Sequence, residues 1–243
     1  MRTVVFTSDN HSWLLKGFFH QWQKYGGGRE VEVAGFTPPT CLPQGVKFHS
    51  IGRFEDYPVE KWSDGIIKFL QSIDDEYILF LLEDYWMMRR VHWEEIDIAL
   101  ETMIMHPNIV RFDVASDRMF SKGAMYVGTH QGFESSIDLC SCKGAYSISF
   151  QASIYRREKL LEVMFPGETP WQAEINGSGR LNTNFLGYKV FGSYNWPMNY
   201  MIVMNKGQLD MDGRWMYPAR SLSVADWQEL EAAGCLEPEA IHE

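Results

Sequence analysis

The stretch Tyr77-Ile78-Leu79-Phe80-Leu81-Leu82-Glu83-Asp84-Tyr85-Trp86 decides the fold. Its first six residues are apolar without alternation, the pattern of a strand buried on both faces beneath helices. Two adjacent carboxylates end the run. Ligands of open α/β sheets bind outside the carboxyl ends of strands, and a pair of carboxylates there is costly to bury unless something compensates it. A divalent cation does so, since Mg²⁺ or Mn²⁺ takes carboxylate oxygens together with a phosphate. The alternative is a solvated strand end, with Glu83 and Asp84 paired to Arg89 or Arg90.

Upstream, Thr3 to Thr7 is β-branched and aromatic and breaks at Ser8-Asp9-Asn10, which reads as a strand ending in a polar loop. From Ser12, Leu14, Leu15, Phe18, Phe19 and Trp22 form one helical face, stopped by Gly26-Gly27-Gly28. Val31–Phe36 and Val46–Ile51 are two more strands, and Ser63-Asp64 caps a helix. Downstream come a helix over Trp93–Met105 and a strand over Ile109–Val114. Residues 116–145 are rich in Gly, Ser and Lys and read as loop-heavy. Tyr146–Ile154 reads as a strand, Arg156–Phe165 as a helix, and Tyr188–Tyr194 as a late strand. Thr169-Pro170-Trp171-Gln172 is a capping box with Pro at the first helical position; it starts a short helix carrying Glu174 that Gly177 stops. Alternating strands and helices predict an α/β fold: a Rossmann-type mixed, mostly parallel sheet flanked by helices, in a single domain. Residues 1–220 form that domain, with a 1–115 half and a 116–220 half, and 221–243 is an acidic C-terminal tail.

The composition agrees. The 243 residues are 45% hydrophobic and 14% aromatic, which excludes a disordered chain. Four cysteines are too few for a disulfide-stapled scaffold; Cys140-Ser141-Cys142 lacks zinc-site spacing and reads as structural. The net charge is −10, but it is uneven: 1–110 is acidic, 111–220 is slightly basic, and from Ser221 there are acids and no Lys or Arg. No strongly basic module advertises tight nucleic-acid binding. No signal peptide is readable and no apolar run is long enough to span a bilayer, so the expected compartment is a reducing cytoplasm with no membrane partner.

Further candidates follow from position. Asp9, with Thr7 and Ser8, ends the first strand and suits hydrogen bonds from a nucleobase N–H or ribose hydroxyl; its bland role is helix capping. Asp64, beside Trp62, carries the same two readings. The carboxylates Asp9, Asp64 and Asp84 are expected at one edge of the sheet, facing one cleft. Glu174, near Trp171, suits a general base for an acceptor hydroxyl, with Glu168 its rival; its bland role is helix-dipole stabilisation. Arg118, Lys143, Arg156, Arg157 and Arg180 offer positive charge for phosphates, or a solvated face. No nucleophile elbow, Walker-type loop or dinucleotide fingerprint is present, which counts against hydrolase, nucleoside-triphosphatase and dinucleotide-oxidoreductase classes.

The order of these elements resembles glycosyltransferases of the GT-A fold, most closely compact forms from bacteriophage and viral metagenomes. Phe54-Glu55-Asp56-Tyr57-Pro58, Lys61-Trp62-Ser63-Asp64-Gly65, Leu82-Glu83-Asp84-Tyr85-Trp86 and Pro166-Gly167-Glu168-Thr169-Pro170-Trp171-Gln172-Ala173-Glu174 carry the likeness, over roughly residues 1–200. It implies a UDP-sugar donor and Mn²⁺ or Mg²⁺. Glu83-Asp84 stands where such enzymes keep an Asp-x-Asp metal motif, without the intervening residue; Asp84 would touch the ion, with Glu83 on the ion or on the ribose. Thr7, Ser8, Asp9, Trp62 and Asp64 would contact the donor. Glu174 would be the base of an inverting transfer. Trp171 and Trp86 would be walls, and Arg156 and Arg157 phosphate contacts, for an acceptor. That acceptor would be 5-hydroxymethylpyrimidine in double-stranded phage DNA, modified in the host cytoplasm, or else a saccharide of a surface glycan. Two other classes remain: a sugar-nucleotide nucleotidyltransferase, disfavoured by Ser8-Asp9-Asn10-His11 where a Gly-rich basic loop is wanted, and a non-catalytic carbohydrate-binding virion protein.

Overall fold

The computed structural model describes residues 1–115, 125–130, 137–142, 146–184, 187–193, 195–205, 207–211 and 221–237, with backbone alone over 125–130 and 137–142. Its centre is a nine-stranded sheet. The strands are β1 (Arg2–Phe6), β2 (Glu32–Gly35), β3 (Phe48–Ser50), β4 (Tyr77–Leu82), β6 (Ile109–Asp113), β7 (Met125–His130), β8 (Ile137–Cys142), β9 (Ser153–Arg156) and β10 (Lys189–Ser193), in the order β3-β2-β1-β4-β9-β6-β10-β8-β7. β9 and β8 run against the other seven. The α/β expectation of a mixed, mostly parallel sheet in one domain is met. β5 (Tyr85–Met87) leaves β4 and pairs instead with β11 (Tyr200–Ile202) in a small second sheet, and β12 (Met204–Asn205) pairs with β13 (Gln208–Leu209).

Both faces of β4 are covered, as its apolar run requires. Tyr77, Leu79 and Leu81 enter one core, and Ile78 and Phe80 the other, following the two-residue alternation of a strand. On the first face lie α1 (Leu15–Tyr25, entered through a 3₁₀ turn at Ser12–Leu14), α3 (Trp93–Met105) and α6 (Val224–Ala232); on the second lie α2 (Trp62–Gln71), α4 (Arg157–Val163) and α5 (Pro170–Asn184). Register brings the carboxyl ends of four parallel strands level. Phe6 is opposite both Ala34 and Leu82, and Gly35 is opposite Ser50.

Ser63-Asp64 does not cap α2, which starts at Trp62 after Lys61 with no side-chain cap, and the loop-heavy 116–145 segment holds β7 and β8. Three more expectations need correction. Tyr146–Ile154 is not one strand: residues 146–150 are turn and irregular, and β9 begins at Ser153. Residues 147–150 are buried yet the segment is satisfied by side chains, for Arg111 Nη1 donates to the carbonyls of Tyr146 (3.1 Å) and Ser147 (3.4 Å), and Tyr155 donates to that of Ser149. Secondly, α5 passes through Gly177 to Asn184. Gly177 and Ser178 are buried against Ile148, and Ser178 Oγ serves both the N–H (2.9 Å) and the C=O (3.2 Å) of Ile148. Tertiary contact outweighs the helix-weakening glycine. Thirdly, residues 221–237, read as part of an acidic tail, dock as α6: Leu222, Leu230 and Cys235 join the core, and Asp226 is 1% exposed. No described helix is long and apolar enough to cross a membrane.

Candidate functional site

The carboxyl ends of β1 to β4 open on a cavity of about 320 Å³. Its polar side comprises Thr7, Ser8, Asn10, His11, Glu83 and Asp84, and its apolar walls include Phe36, Phe54, Tyr57, Trp62, Leu82 and Trp171. Each group is there for a local reason. Thr7 and Ser8 continue β1, Phe36 continues β2, and Glu83-Asp84 is the two-residue turn at which the chain leaves β4 for β5. The turn is held from behind, since Val203 N donates to Asp84 O (3.0 Å) and Tyr85 Oη to Phe150 O (2.9 Å).

Glu83 is 8% exposed and Asp84 is half-buried. Asp84 Oδ1 is sealed from solvent and has no hydrogen-bond partner among the described residues. Burial pushes the Asp84 carboxyl up to about 7. Burial, and then the neighbouring Asp84, raises Glu83 well above its ordinary value. His11 stands 3.8 Å from Glu83 Oε1 through Nδ1, which also lies 3.2 Å from Ser8 Oγ; burial lowers the pKa of this imidazole. The solvated-pair alternative fails: Arg89 and Arg90 are exposed, and no described ion pair joins either to this turn. Two adjacent carboxylates and an orphaned oxygen suit a hard cation that completes its shell with phosphate oxygens. No group of three or more metal-ligating side chains exists among the described residues, so the protein alone supplies an incomplete shell.

The other expected residues separate. Ser8 and Gly65 border the cavity, but the carboxylates of Asp9 and Asp64 turn into neighbouring loops. Asp9 accepts from Thr37 N (3.0 Å) and Oγ1 (2.8 Å), and Asp64 Oδ2 accepts from Gly167 N (2.6 Å). The shared cleft expected of Asp9, Asp64 and Asp84 therefore contains the last of them only, and the first two tie loops. Trp86 is fully buried against Gly17 and near Trp227, so it is a core residue and no acceptor wall. Arg156 and Arg157 lie at the opposite end of β4, since Arg156 pairs with Tyr77, a strand length or roughly 20 Å away. Arg156 bonds Glu76 and Met103 O (2.9 Å), and Arg157 bonds Asp75 O (2.8 Å) and Leu70 O (3.1 Å). Neither meets a ligand at this cavity. Arg118 and Lys143 lie outside the described residues.

Glu174 Oε1 accepts from Phe150 N (2.7 Å), and the side chain is not on the cavity wall, which argues for a structural part rather than a base. Its rival Glu168 is 8% exposed and takes a two-point contact from Arg180 (2.9 and 2.7 Å); burial pushes its carboxyl up, but the bonds from Arg180 and Asn176 outweigh that and hold it below its ordinary value. Sequence reasoning missed His11, Phe36, Phe54 and Tyr57. The aromatic residues of the turn-rich 53–58 segment were the signal for the last two.

Among known protein families none matches this chain, and no curated protein does. Solved structures give likenesses of low identity. S. aureus TarS 1–349 with UDP shares 15% identity at TM-score 0.48, over 79% of this chain and 60% of that one. Glucosyl-3-phosphoglycerate synthase from Mycobacterium tuberculosis with Mn²⁺, UDP and phosphoglyceric acid gives 11% and 0.44, over 78% and 66%. CMP:2-keto-3-deoxy-manno-octonic acid synthetase with CTP gives 14% and 0.43, over 79% and 88%. The chain thus spans about 60% of the TarS structure it resembles.

Proposed function

We propose that this chain is a glycosyltransferase that takes a nucleoside-diphosphate sugar, with UDP the first nucleotide to test, and transfers the sugar to a hydroxyl acceptor. The observation that carries the reading is the sealed, unpartnered Asp84 Oδ1 beside Glu83, on the polar side of an aromatic-walled cavity at the carboxyl edge of a parallel sheet. Asp84, with Glu83 beside it, would hold Mn²⁺ or Mg²⁺, which when bound neutralises charge on the departing diphosphate. Phe36, Tyr57 and Trp62 supply flat apolar surface for a base and its ribose, and Thr7, Ser8 and Asn10 supply hydrogen-bonding groups beside them. Glu83 and its neighbour His11 give the donor side a second polar anchor. No general base is assigned, because Glu174 and Glu168 are both held by structural contacts. A duplex-DNA acceptor receives no support from the described residues, for Arg156 and Arg157 serve the far edge of the sheet.

The test is a thermal-shift series with UDP, CDP, GDP and ADP, each with and without Mn²⁺. One diphosphate should raise the Tm in a Mn²⁺-dependent manner; saturation at a hundredfold above Kd adds about 2.7 kcal/mol. Asp84→Asn should remove that shift. A series in which no diphosphate moves the Tm with Mn²⁺, or in which Asp84→Asn responds like the parent, overturns the reading.

A further inference from the structure

We propose that Trp171 is a fixed platform on which the ring of a neutral saccharide acceptor stacks, at the mouth of the cavity. This names the acceptor class for the glycosyltransferase reading and rests on it. Trp171 lines the cavity and yet is 67% exposed. Every other tryptophan among the described residues is buried or half-buried. An exposed apolar ring is ordinary on a protein surface, and what sets this one apart is its place on the wall of the cavity.

The ring is carried on a built mount. Pro170 opens α5, and a reciprocal cap closes its first turn, Thr169 N donating to Gln172 Oε1 (3.0 Å) and Gln172 N to Thr169 Oγ1 (3.3 Å). The residues just before are bolted to the start of α2. Ser63 N donates to Glu168 O (3.0 Å), Glu168 N to Ser63 Oγ (3.0 Å), and Gly167 N to Asp64 Oδ2 (2.6 Å). The same Glu168 is clamped from the far side of the turn by Arg180. An exposed side chain on a loose loop has no such set of ties. Here five hydrogen bonds and an ion pair fix the backbone of an exposed tryptophan beside the proposed donor pocket, and a preorganised surface loses little entropy on binding.

The chemistry selects the occupant. An indole face presents negative π density, which suits the polarised C–H face of a pyranose ring. The adjacent polar side holds Glu83 and Asp84, and the nearby guanidinium of Arg180 is already paired to Glu168. A neutral polyhydroxylated ring stacks on this face without a cationic partner, whereas the phosphates of a nucleic-acid backbone call for free basic side chains, and the guanidinium of Arg180 is taken by Glu168.

The experiment uses the full chain, Mn²⁺, and UDP-glucose, UDP-galactose or UDP-N-acetylglucosamine as donors, with methyl glycosides of glucose, galactose, mannose and N-acetylglucosamine as acceptor probes. UDP release is measured with and without glycoside. At least one glycoside should accelerate release in the parent. Trp171→Ala should cut that acceleration at least tenfold, taken as a ratio to the same variant's release to water, and Trp171→Phe should keep part of it. Equal acceleration in Trp171→Ala overturns the platform. So does a parent that no glycoside accelerates, including one accelerated instead by hydroxymethylated duplex DNA. In each of those outcomes the UDP–Mn²⁺ shift survives; its loss in the parent identifies failure of the glycosyltransferase reading, which takes the platform with it.

Discussion

Asp84 places a carboxylate oxygen out of reach of water and of any donor among the described residues. Such a group destabilises the ligand-free fold, because burial penalises its charge by more than its own backbone N–H offsets. Asp84→Asn should therefore raise the Tm of the ligand-free protein, by at least about 1 kcal/mol or roughly 2–4 °C at this chain length, in calorimetry at neutral pH. A fall in Tm would mean that the carboxylate contributes to the fold and would count against its reservation for a ligand. Glu174 is the contrasting case. It satisfies the N–H of buried Phe150, whose ring packs on Trp62 (4.7 Å) and Phe80 (5.2 Å). Glu174→Gln keeps an acceptor and should cost under about 0.5 kcal/mol, whereas Glu174→Ala orphans the N–H and should cost about 1–3 kcal/mol in urea denaturation. UDP release by Glu174→Gln should stay within a few-fold of the parent; a loss of a hundredfold or more would restore the general base. Glu83-Asp84 was legible in the sequence because an apolar run announces burial and a carboxylate after it announces a conflict. The part played by Glu174 was not, since one-dimensional spacing does not say whether a side chain turns to the cavity or to a loop that folds beneath it.

Among the elements, those whose period is set by burial on a regular surface were readable. β4 and α1 lie where their apolar patterns place them, because each buries a continuous face. The boundaries that failed are the ones set by long-range partners. α5 runs past Gly177 because the 146–150 segment lies against it, and that segment is irregular because Arg111, Tyr155 and Ser178 satisfy its backbone in place of a strand. β5 is legible only after the fact, since its partner β11 lies more than a hundred residues on. A close approach fixes where β5 sits: a Cβ built on Gly17 would fall 2.1 Å from Cζ2 of Trp86, so α1 and β5 meet backbone against ring. Gly17→Ala should therefore destabilise the protein by about 2 kcal/mol, the overpacking strain outweighing the better helix propensity of alanine. Chemical denaturation at constant m-value tests this, and a neutral or stabilising result would show that the Trp86 ring can move aside.

Over the whole molecule, the chain's far end is tied to its beginning. Asp226, at the start of α6, accepts from Ser223 N and Oγ in a capping box and also from Lys24 Nζ (3.0 Å) and Tyr25 Oη (2.9 Å) on α1. The acidity of residues 221–237, which in the sequence looked like a solvated tail, is thus in part the charge that docks this helix, and its depletion of Lys and Arg reflects partners supplied from some two hundred residues away. Burial pushes the Asp226 carboxyl up, but the bonds from Ser223, Lys24 and Tyr25 outweigh that and hold it below its ordinary value. The sign follows: a carboxylate with a depressed folded-state pKa contributes stability that is fully present above its unfolded value, about 3.9, and lost as the pH falls through the folded one. Asp226→Ala removes the reciprocal half of the capping box, leaving the bond from its backbone N–H to Ser223 Oγ, and leaves the Lys24 and Tyr25 donors without it, so at pH 7 it should cost about 2–3 kcal/mol. The gap between parent and variant, followed by urea denaturation from pH 7 downward, should narrow below about pH 4 as the parent's carboxylate takes up its proton. A gap that stayed constant down to pH 2 would assign the loss to packing of α6 alone and remove the charge from the account of how the two ends of the chain are joined.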